Sequence, residues 1–395
     1  MLVDLASDVC ENGGMQQTDG RFSDFHALIP AGGVGSRLWP LSRGARPKFL
    51  YDFLGSGRTM IQATFDRLAA FAGNGHVAVM TGAAHAAAVA AQLPELDGRN
   101  LFVEPVGRDS TAAIALATAI LARRHGCDVV VGSFAADHVI RDEETFRECV
   151  AQAVAAARAG YVATIGIAAT RPSTAFGYIR QGRALGGEVP DAPDARMVRA
   201  FVEKPDSATA QAYLMTGEYR WNAGMFVMRA DVLLDTLARL RPRIHETVTA
   251  IAAIWDDDAD HRAAMMERLW PGVEKIAFDY AVAEPLAAEG GVAVVPGGFG
   301  WDDIGDFNSV AALVPSADRY NNKIIGDPGR VVCLDSAGNV VAPAGGAGRT
   351  IALLGADDLV VVDTPDALLV APRARSQEVK RMVAALAARG YDAIL

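Results

Sequence analysis

The stretch PAGGVGSRLWPLSRGARPKF, residues 30–49, follows the apolar residues 27–29 and decides how the chain is interpreted. The apolar run predicts a short buried strand that ends in the glycine-rich segment AGGVG. Glycines lack side chains, so they let backbone N–H groups approach an anion closely. The cations Arg37, Arg46 and Lys48 follow, with prolines that stiffen the segment. Together these features predict a loop that binds a polyphosphate.

The spacing of this loop differs from that of the two common phosphate-binding motifs. A dinucleotide fingerprint needs Gly-x-Gly-x-x-Gly at the start of a helix, and a Walker loop needs Gly-Lys-Ser/Thr. Here Gly33-Val34-Gly35 is followed by Ser-Arg-Leu. The order GGVGSRLWPL, followed by Pro-Lys, resembles the opening motif of the sugar-1-phosphate nucleotidyltransferases. Trp39 and the PKFL continuation are similar to the mannose-1-phosphate guanylyltransferase branch of that family.

Composition limits the possible partners of the chain. The 395 residues can form one large or two ordinary domains, and the net charge of −10 argues against binding to nucleic acid or to an anionic membrane. The acidic N-terminal segment lacks the pattern of a secretory signal, and the apolar runs are too short to span a bilayer. The cysteines show no zinc-binding spacing and are predicted to be reduced thiols: Cys10, Cys127, Cys149 and Cys333. The expectation is a soluble cytoplasmic protein.

Apolar runs alternate with amphipathic stretches over residues 25–314, which predicts an α/β domain. Strands are predicted at residues 26–30, 76–81, 100–103, 128–133, 161–167, 178–182, 197–203, 223–228 and 292–295. Helices are predicted at residues 59–71, 85–92, 111–125, 145–158, 207–215 and 231–240. The resemblance implies a Rossmann-like, glycosyltransferase-A-like mixed sheet flanked by helices.

The regions on either side of this domain have a different character. Residues 1–24 are predicted to form a flexible tail. Residues 315–395 are predicted to form a small β module that ends in a helix at 377–389, and it resembles a short left-handed β-helix. Six strand-like runs support this β module: 323–325, 330–334, 339–342, 350–354, 359–364 and 367–371.

Two groups of carboxylates are candidates for a metal site. Asp137 lies just after the predicted strand 128–133, at the strand end where open α/β sheets bind ligands, which favours a metal ligand over the alternative of an N-cap or turn aspartate. The residues alone do not distinguish Asp302 from Asp303 in GWDDIGD. The resemblance to the motif Trp-x-Asp-Val/Ile-Gly implies that Asp303 binds Mg²⁺ together with Asp137. His138 is predicted to make a structural hydrogen bond.

A third group of motifs resembles the sugar-phosphate site of the same family. The segment FVEKP contains Glu203 and Lys204, and a carboxylate beside an ammonium can hold sugar hydroxyls and a phosphate. Asn222 in WNAGMF and Asp279 in FDYAV match two further elements. Gly177 matches the position of the family's Thr-Gly-Tyr-Gly-Tyr. The resemblance implies that these five residues bind the sugar phosphate.

The segment EPVGRDST, residues 104–111, resembles the loop of the family that contacts the base. Asp109 departs from the usual asparagine; its carboxylate could accept guanine N1–H and N2–H₂, or it could cap the following helix. A second departure is Phe176, where the family has glycine. The implied nucleotide-binding residues are Ala31, Gly32, Gly33, Gly35, Ser36, Glu104, Gly107, Arg108 and Asp109.

The resemblance implies that the protein transfers GMP from GTP to mannose 1-phosphate. The implied products are GDP-mannose and pyrophosphate, formed by a direct Mg²⁺-dependent in-line displacement. Arg37, Lys48 and Asp137 are the implied catalytic residues. The resemblance and the apolar edges of the β module also suggest a homodimer.

Three alternative functions remain open from the sequence. Another sugar 1-phosphate, of heptose or glucose, could be the acceptor, since sugar epimers differ by one hydroxyl. A nicotinamide-dependent oxidoreductase is disfavoured because no acidic residue ends a second strand about 20 residues after the loop. A catalytically inactive nucleotide-sugar sensor is disfavoured because all the candidate cations and carboxylates are present.

Overall fold

The computed structural model describes residues 19–346 and 348–395. Most of the predicted tail, including Cys10, lies outside the described residues. The last residues of that tail are packed rather than flexible: Gly20–Phe22 forms a 3₁₀ turn, and the Phe22 ring is 5.6 Å from that of Phe25 and 4.7 Å from that of Phe71. Arg21 pairs with Glu148 on a neighbouring helix. The packed domain therefore begins before Phe25, because Phe22 extends its core.

Within the described residues, the strands β1–β15 are Phe25–Ala31, Val77–Gly82, Leu101–Glu104, Val130–Ser133, Val162–Ala168, Tyr178–Ala184, Arg196–Val202, Tyr219–Arg229, Val292–Gly297, Lys323–Ile324, Val331–Leu334, Val340–Pro343, Ile351–Leu354, Leu359–Asp363 and Leu368–Pro372. The helices α1–α11 are Met60–Ala72, Ala86–Gln92, Asp109–His125, Glu143–Arg158, Ser207–Thr216, Ala230–Leu240, Pro242–Ala252, Ala259–Leu269, Glu284–Ala288, Phe307–Leu313 and Val379–Ala387. All predicted strands and helices are confirmed with small boundary shifts, whereas α7 to α10 were not predicted.

The first nine strands form one mixed sheet in the described part of the chain, in the order β3-β2-β1-β4-β8-β5-β9-β7-β6. β3, β2, β1 and β4 are parallel, and β8 runs antiparallel to both β4 and β5. β9 is parallel to β5 and therefore runs in the same direction as β4. The carboxyl ends of β1, β3, β4 and β9 consequently meet at one edge of the sheet, where open α/β sheets bind ligands. The α/β class and the mixed sheet are confirmed.

Helices cover both faces of this sheet. Along β1 the side chains alternate between the faces, as a strand requires: Leu28 packs in the cluster that contains α3, α6 and α7, while Ala27 and Ile29 pack in the cluster that contains α1 and α4. β1 is buried on both sides, which explains its continuous apolar run. Each helix in the described ranges is too short or too polar to pass through a lipid bilayer.

The residues after 315 form the predicted β module. β10, β12 and β14 pair in parallel, and β11 pairs in parallel with β13, so strands two apart along the chain stack as they do in a β-helix coil. The antiparallel strand β15 ends the stack beside β14. The apolar side of the module packs against the first domain, since Val340 and Val360 share a buried cluster with Leu38, Trp39 and Ile304.

Candidate active site

The glycine-rich loop begins where β1 ends at Ala31. Gly35 adopts a left-handed conformation with φ of +76°, which glycine tolerates and side-chain-bearing residues rarely adopt. A Cβ atom at Gly35 would lie 2.9 Å from the side-chain carbons Cγ and Cδ of Lys48. Glycine is therefore required here both for the turn and for the passage of the lysine side chain.

Lys48 connects three loops at this edge of the sheet. Its backbone N–H donates to the Val34 carbonyl at 3.2 Å, which ties it to the glycine-rich loop. Its Nζ lies 3.0 Å from Oδ2 of Asp137 and donates to the Asp303 carbonyl oxygen at 2.7 Å. The Lys48 and Asp137 side chains are only 12% and 16% exposed, so this ion pair is weakly screened by water. The loops after β1, β4 and β9 thus converge as the sheet topology requires.

The two neighbouring aspartates of GWDDIGD have different surroundings. Asp302 Oδ1 accepts the Ile304 N–H at 2.7 Å, and its backbone pairs with Val139, so Asp302 holds the shape of the turn. Burial raises the pKa of Asp303, with further upward contributions from Asp302 and Asp137 and an opposing one from Lys48. Burial raises the pKa of Asp302 as well. The two differ because the Asp302 carboxylate is bound to the Ile304 N–H, whereas Asp303 lies within the influence of both Lys48 and Asp137.

The number of candidate metal ligands is small. The described residues contain no cluster of three or more His, Cys, Asp or Glu side chains placed to hold a metal ion. Asp137 and Asp303 supply two carboxylates, a donor set that suits a hard cation whose other ligands are water and phosphate oxygens.

A cavity of about 420 Å³ lies beside the glycine-rich loop. It brings together seven of the residues predicted from the sequence to bind the nucleotide or to act in catalysis: Ala31, Gly32, Gly33, Glu104, Gly107, Asp109 and Asp137. Phe49 and Lys275 also line it, and neither was predicted as a site residue. The one signal in the sequence for Lys275 is its position three residues before the FDYAV segment.

The two carboxylates of the predicted base-contacting loop differ in burial and in whether an oxygen is free to accept a hydrogen bond. Glu104 is only 6% exposed, burial raises its pKa to about 6, and among the described residues its Oε2 has no hydrogen-bond partner. Asp109 is exposed with φ of +66°, and its Oδ1 accepts the N–H of the adjacent Ser110 at 2.8 Å. A capping side chain accepts the N–H two or three residues further on, whereas Asp109, in the described structure, accepts only that of Ser110, so its carboxylate does not cap the helix. Glu104 is therefore the buried carboxylate with free acceptor capacity at the cavity.

None of the predicted arginines lines this cavity in the part of the chain that the structure describes. Within the described residues, Arg37, Gly35, Ser36 and Arg108 do not line it. Arg37 belongs to the 3₁₀ turn Ser36–Leu38, and Arg108 donates to the Pro271 carbonyl oxygen. Arg46, expected to reach a phosphate, has its guanidinium carbon 4.0 Å from the centroid of the Tyr51 ring. Arg46 therefore makes a cation–π contact with Tyr51, whereas the sequence predicted that it would bind a phosphate.

The predicted sugar-binding residues come together at a second group. Asn222 Nδ2 donates to Asp279 Oδ1 at 2.7 Å, and the Asn222 backbone N–H donates to the Gly177 carbonyl at 2.8 Å. Thr164, buried in β5, donates its hydroxyl to Asn222 Oδ1 at 3.0 Å and so fixes the amide orientation.

Glu203 completes this second group. Its side chain is 6% exposed, its Oε1 accepts from Lys204 Nζ at 2.5 Å, and its Oε2 lacks a partner within the part of the chain that the structure describes. A Cβ at Gly177 would lie 2.4 Å from that Oε2, so only glycine leaves space for the Glu203 carboxylate in this position. Burial and the charge of Glu203 raise the pKa of Asp279 to about 7. An unpaired buried acceptor is costly unless a ligand donates to it.

Aromatic side chains lie beside the two groups. Phe176, the departure from the family pattern, packs between Trp221 and Trp301 with ring centroids 5.1 and 5.2 Å away. Trp301 Nε1 donates to His138 Nδ1 at 3.2 Å, and burial lowers the pKa of His138 to about 4. His138 is therefore a neutral acceptor that orients Trp301, which agrees with the structural role predicted for it.

The chain is similar to known proteins over nearly its full length. A family model described as nucleotidyl transferase matches residues 26–317, and one described as a MannoseP isomerase/GMP-like beta-helix domain matches residues 329–386. The xanthan biosynthesis protein XanB of Xanthomonas campestris pv. campestris (strain B100) is 38% identical over 373 residues, which are 93% of this chain and 74% of the relative. The mannose-1-phosphate guanylyltransferase of Escherichia coli (strain K12) is 38% identical over 372 residues, with the same coverage of 93% and 74%.

Solved structures show the same architecture. A crystal structure described as a mannose-1-phosphate geranyltransferase from Thermus thermophilus superposes with a TM-score of 0.77 and 35% identity, covering 92% of this chain and 99% of that chain. A mannose-6-phosphate isomerase from Helicobacter pylori superposes with a TM-score of 0.56 and 20% identity over 71% of this chain and 99% of that chain, a likeness of fold alone.

Proposed function

The chain belongs to the nucleotidyl transferase family, and on that premise we propose that it transfers GMP from GTP to mannose 1-phosphate, forming GDP-mannose and pyrophosphate. One observation carries the proposal: Lys48 Nζ contacts both the Asp137 carboxylate and the Asp303 carbonyl beside the cavity at the glycine-rich loop. Asp137 lines this cavity, whereas Lys48 and Asp303 lie behind its wall and reach it through their contacts with Asp137 and with each other, which supports a nucleotide site beside one cation and two carboxylates.

The acceptor phosphate acts as the nucleophile in this reaction. A phosphomonoester has a second pKa of about 6, so it is ionised near neutral pH and needs no general base. One of its oxygens attacks the α-phosphorus of GTP, the bond from that phosphorus to the bridging oxygen breaks, and pyrophosphate leaves with the electron pair. The protein accelerates this step by positioning the reactants in line and by stabilising charge.

The triphosphate is assigned to the loop after β1. Backbone N–H groups of residues 31–35 approach its oxygens, as the glycines permit. Lys48 and Arg37 stabilise the charge on the triphosphate and on the leaving pyrophosphate. Arg37 Nε is buried and, among the described residues, has no partner, so its guanidinium retains donors for a phosphate.

The carboxylates Asp137 and Asp303 are assigned to Mg²⁺. The raised pKa of Asp303, caused by burial and by the nearby acidic groups, indicates a place where added positive charge is favoured. Bound there, the ion would neutralise phosphate charge in the reaction. The donor set is oxygen only, which fits Mg²⁺ better than zinc.

The sugar phosphate is assigned to the second group. Lys204 holds the phosphate, and Glu203 and Asn222 accept from or donate to the hexose hydroxyls, with Asp279 orienting Asn222. The acceptor assigned to a hydroxyl is Glu203 Oε2, which has no partner among the described residues.

The guanine base is assigned to Glu104. Guanine presents the donors N1–H and N2–H₂ on one edge, and a buried carboxylate with a free oxygen accepts both. Arg108 and Asp109 shape the same loop, while Gly107 and Ser36 contribute backbone.

A homodimer is proposed through the β module. Val332, Leu334 and Leu354 are 57%, 60% and 73% exposed and lie on one face of the β11–β13 pair. Exposed apolar patches of this kind mark interaction surfaces. Analytical ultracentrifugation tests this proposal: a monomer for the unmodified protein would contradict it, and Leu354→Glu is expected to yield monomers.

The reaction itself is tested by measuring pyrophosphate release with each of four nucleoside triphosphates and with mannose, glucose and heptose 1-phosphates. The expected result is turnover with GTP and mannose 1-phosphate. Preference for another sugar 1-phosphate would keep the reaction and change the acceptor, whereas no release with any pair would contradict the proposal.

A further inference from the structure

The β module contacts both loops that carry the reactive groups. Leu38 and Trp39, from the loop after β1, and Ile304, next to Asp303, are buried in one apolar cluster with residues of the module. Ile304 has φ of +44°, which turns its side chain into this cluster while the Asp303 carbonyl faces Lys48. The module is therefore part of the surroundings of the site.

Directional polar contacts accompany the apolar ones. The Arg43 guanidinium makes a two-pronged contact with the Asp366 carboxylate, at 2.7 and 2.6 Å, and also donates to Thr364 Oγ1 at 3.0 Å. Trp39 Nε1 donates to the Ile394 carbonyl at 2.8 Å. A paired guanidinium–carboxylate contact fixes orientation as well as distance, because two parallel hydrogen bonds must form together.

A continuous set of contacts runs from Arg43 to the catalytic lysine. The backbones of Arg43 and Arg46 exchange hydrogen bonds of 3.0 and 3.1 Å, which closes a tight turn. Pro47 then restricts the backbone immediately before Lys48. Lys48 in turn donates its N–H to Val34 of the glycine-rich loop at 3.2 Å.

Arg43 has no place in the chemistry assigned above. Its guanidinium faces the β module, and its side chain is 17% exposed because it is enclosed between the module and the loop. The contact with Arg43 also holds the pKa of Asp366 down to about 2, which keeps the pair charged over the working pH range.

We propose that Arg43 is a positioning residue, held by Asp366 of the β module, that sets the backbone of residues 43–48 so that Lys48 reaches Asp137. The inference rests on the proposed function. It makes the β module a determinant of turnover in addition to its structural part, since a displacement of the lysine of about 1 Å is enough to reduce the rate strongly.

The test compares Asp366→Asn with the unmodified full-length protein in the pyrophosphate assay. The expected result is a fall in kcat of about tenfold, with the KM for mannose 1-phosphate changed by less than about twofold. The KM is spared because the side-chain hydrogen bonds of Glu203, Asn222 and Asp279 in the described structure involve no residue of the module. The matched control is Glu378→Gln, which removes another module carboxylate that pairs with Arg375 at the surface, and it is expected to keep the kcat.

A charge-exchanged variant separates positioning from a general loss of stability. Arg43→Asp alone is expected to lose turnover, and the double variant Arg43→Asp with Asp366→Arg is expected to regain part of the kcat because the pair is restored. An unchanged kcat in Asp366→Asn would overturn the inference. A fall in kcat with a parallel rise in KM, and no recovery in the double variant, would overturn it as well. In both cases the activity of the unmodified protein would still support the proposed function. An unmodified protein that releases no pyrophosphate would overturn both.

Discussion

The Lys48 ammonium nitrogen lies 3.0 Å from an Asp137 carboxylate oxygen, although the two residues follow different strands of the sheet. β1 and β4 are neighbours and run in parallel, so the loops after them must meet. The same nitrogen reaches the carbonyl of Asp303 after β9. This ion pair holds the lysine next to Asp137, which lines the cavity where we propose that the nucleotide binds.

Lys48→Ala and Asp137→Ala are expected to abolish GDP-mannose formation. Removal of a single preorganised charge-stabilising group typically costs on the order of 10²- to 10³-fold in kcat. Pyrophosphate release measures the loss, and circular dichroism is expected to stay native because both side chains belong to the site and not to a core cluster. Full activity in either variant would remove that residue from the mechanism.

Gly35→Ala is expected to lower both stability and turnover. The added Cβ would lie 2.9 Å from the Lys48 side chain, and a non-glycine residue at φ of +76° costs roughly 1–2 kcal/mol. Urea unfolding and the pyrophosphate assay measure the two effects. Gly75→Ala is the matched control, because Gly75 has a negative φ and no described atom lies within 4 Å of the position that its added methyl group would take. Equal stability and equal turnover in the two variants would refute the claim that a side chain at position 35 collides with Lys48.

Glu104→Gln is expected to weaken the preference for GTP over ITP, which lacks the 2-amino group of guanine. A carboxylate accepts from both N1–H and N2–H₂, whereas an amide offers one acceptor and one donor. The ratio of kcat/KM for the two nucleotides reports this contact, and a lost hydrogen bond to a charged group is worth about 1.5–3 kcal/mol. Asp109→Asn is the control and should keep the ratio; if Asp109→Asn changes the ratio and Glu104→Gln does not, the assignment is reversed.

Removal of divalent metal with EDTA is expected to stop turnover, and Mg²⁺ is expected to restore it. Asp303→Asn should raise the Mg²⁺ concentration needed for half-maximal activity by about tenfold or more, because it removes one of two charged oxygen donors. Asp302→Asn is the adjacent control, since an asparagine oxygen can still accept the Ile304 N–H. A larger effect from Asp302→Asn would exchange the two roles.

The pH dependence of stability is expected to involve His26. Its ring is buried between those of His76 and His125, at 4.4 and 4.2 Å, and burial together with these neighbours lowers its pKa to about 3. Asp24 opposes the shift, and Arg124 adds to it. The unfolded chain therefore binds more protons than the folded chain between about pH 6.5 and pH 3, so the free energy of unfolding falls as the pH is lowered through this window.

His26→Phe keeps a buried ring and removes the titration. The free energy of unfolding of this variant is expected to fall less between pH 7 and pH 5 than that of the unmodified protein. The difference between the two proteins is expected to reach up to about 1.4 kcal/mol per pH unit. Urea unfolding at the two pH values measures the difference. Parallel losses in the two proteins would exclude His26 as the source.

Local sequence was sufficient for the elements that have a strong period and clear ends. β1 was predictable because its apolar run ends in glycines, and α4 because its residues alternate between apolar and polar at helical spacing. The start of α4 is predicted at residue 145, whereas Asp142 caps the helix and its first turn begins at Glu143. The helices Pro242–Ala252 and Ala259–Leu269 were missed although each has a start signal, a proline at the first position in one and Asp258 as the cap of the other. Those signals are short and also occur in turns.

The sequence by itself determined which residue types and motifs were available: the glycine-rich loop, the cations after it and the separated carboxylates. Only the tertiary structure decided which of them share a space. It buried Glu104 rather than Asp109 with a free oxygen at the cavity, turned Arg46 onto Tyr51, and joined Arg43 to Asp366. The physical reason is that strand order and burial set distances between residues far apart in the chain, and these distances leave no mark on local spacing.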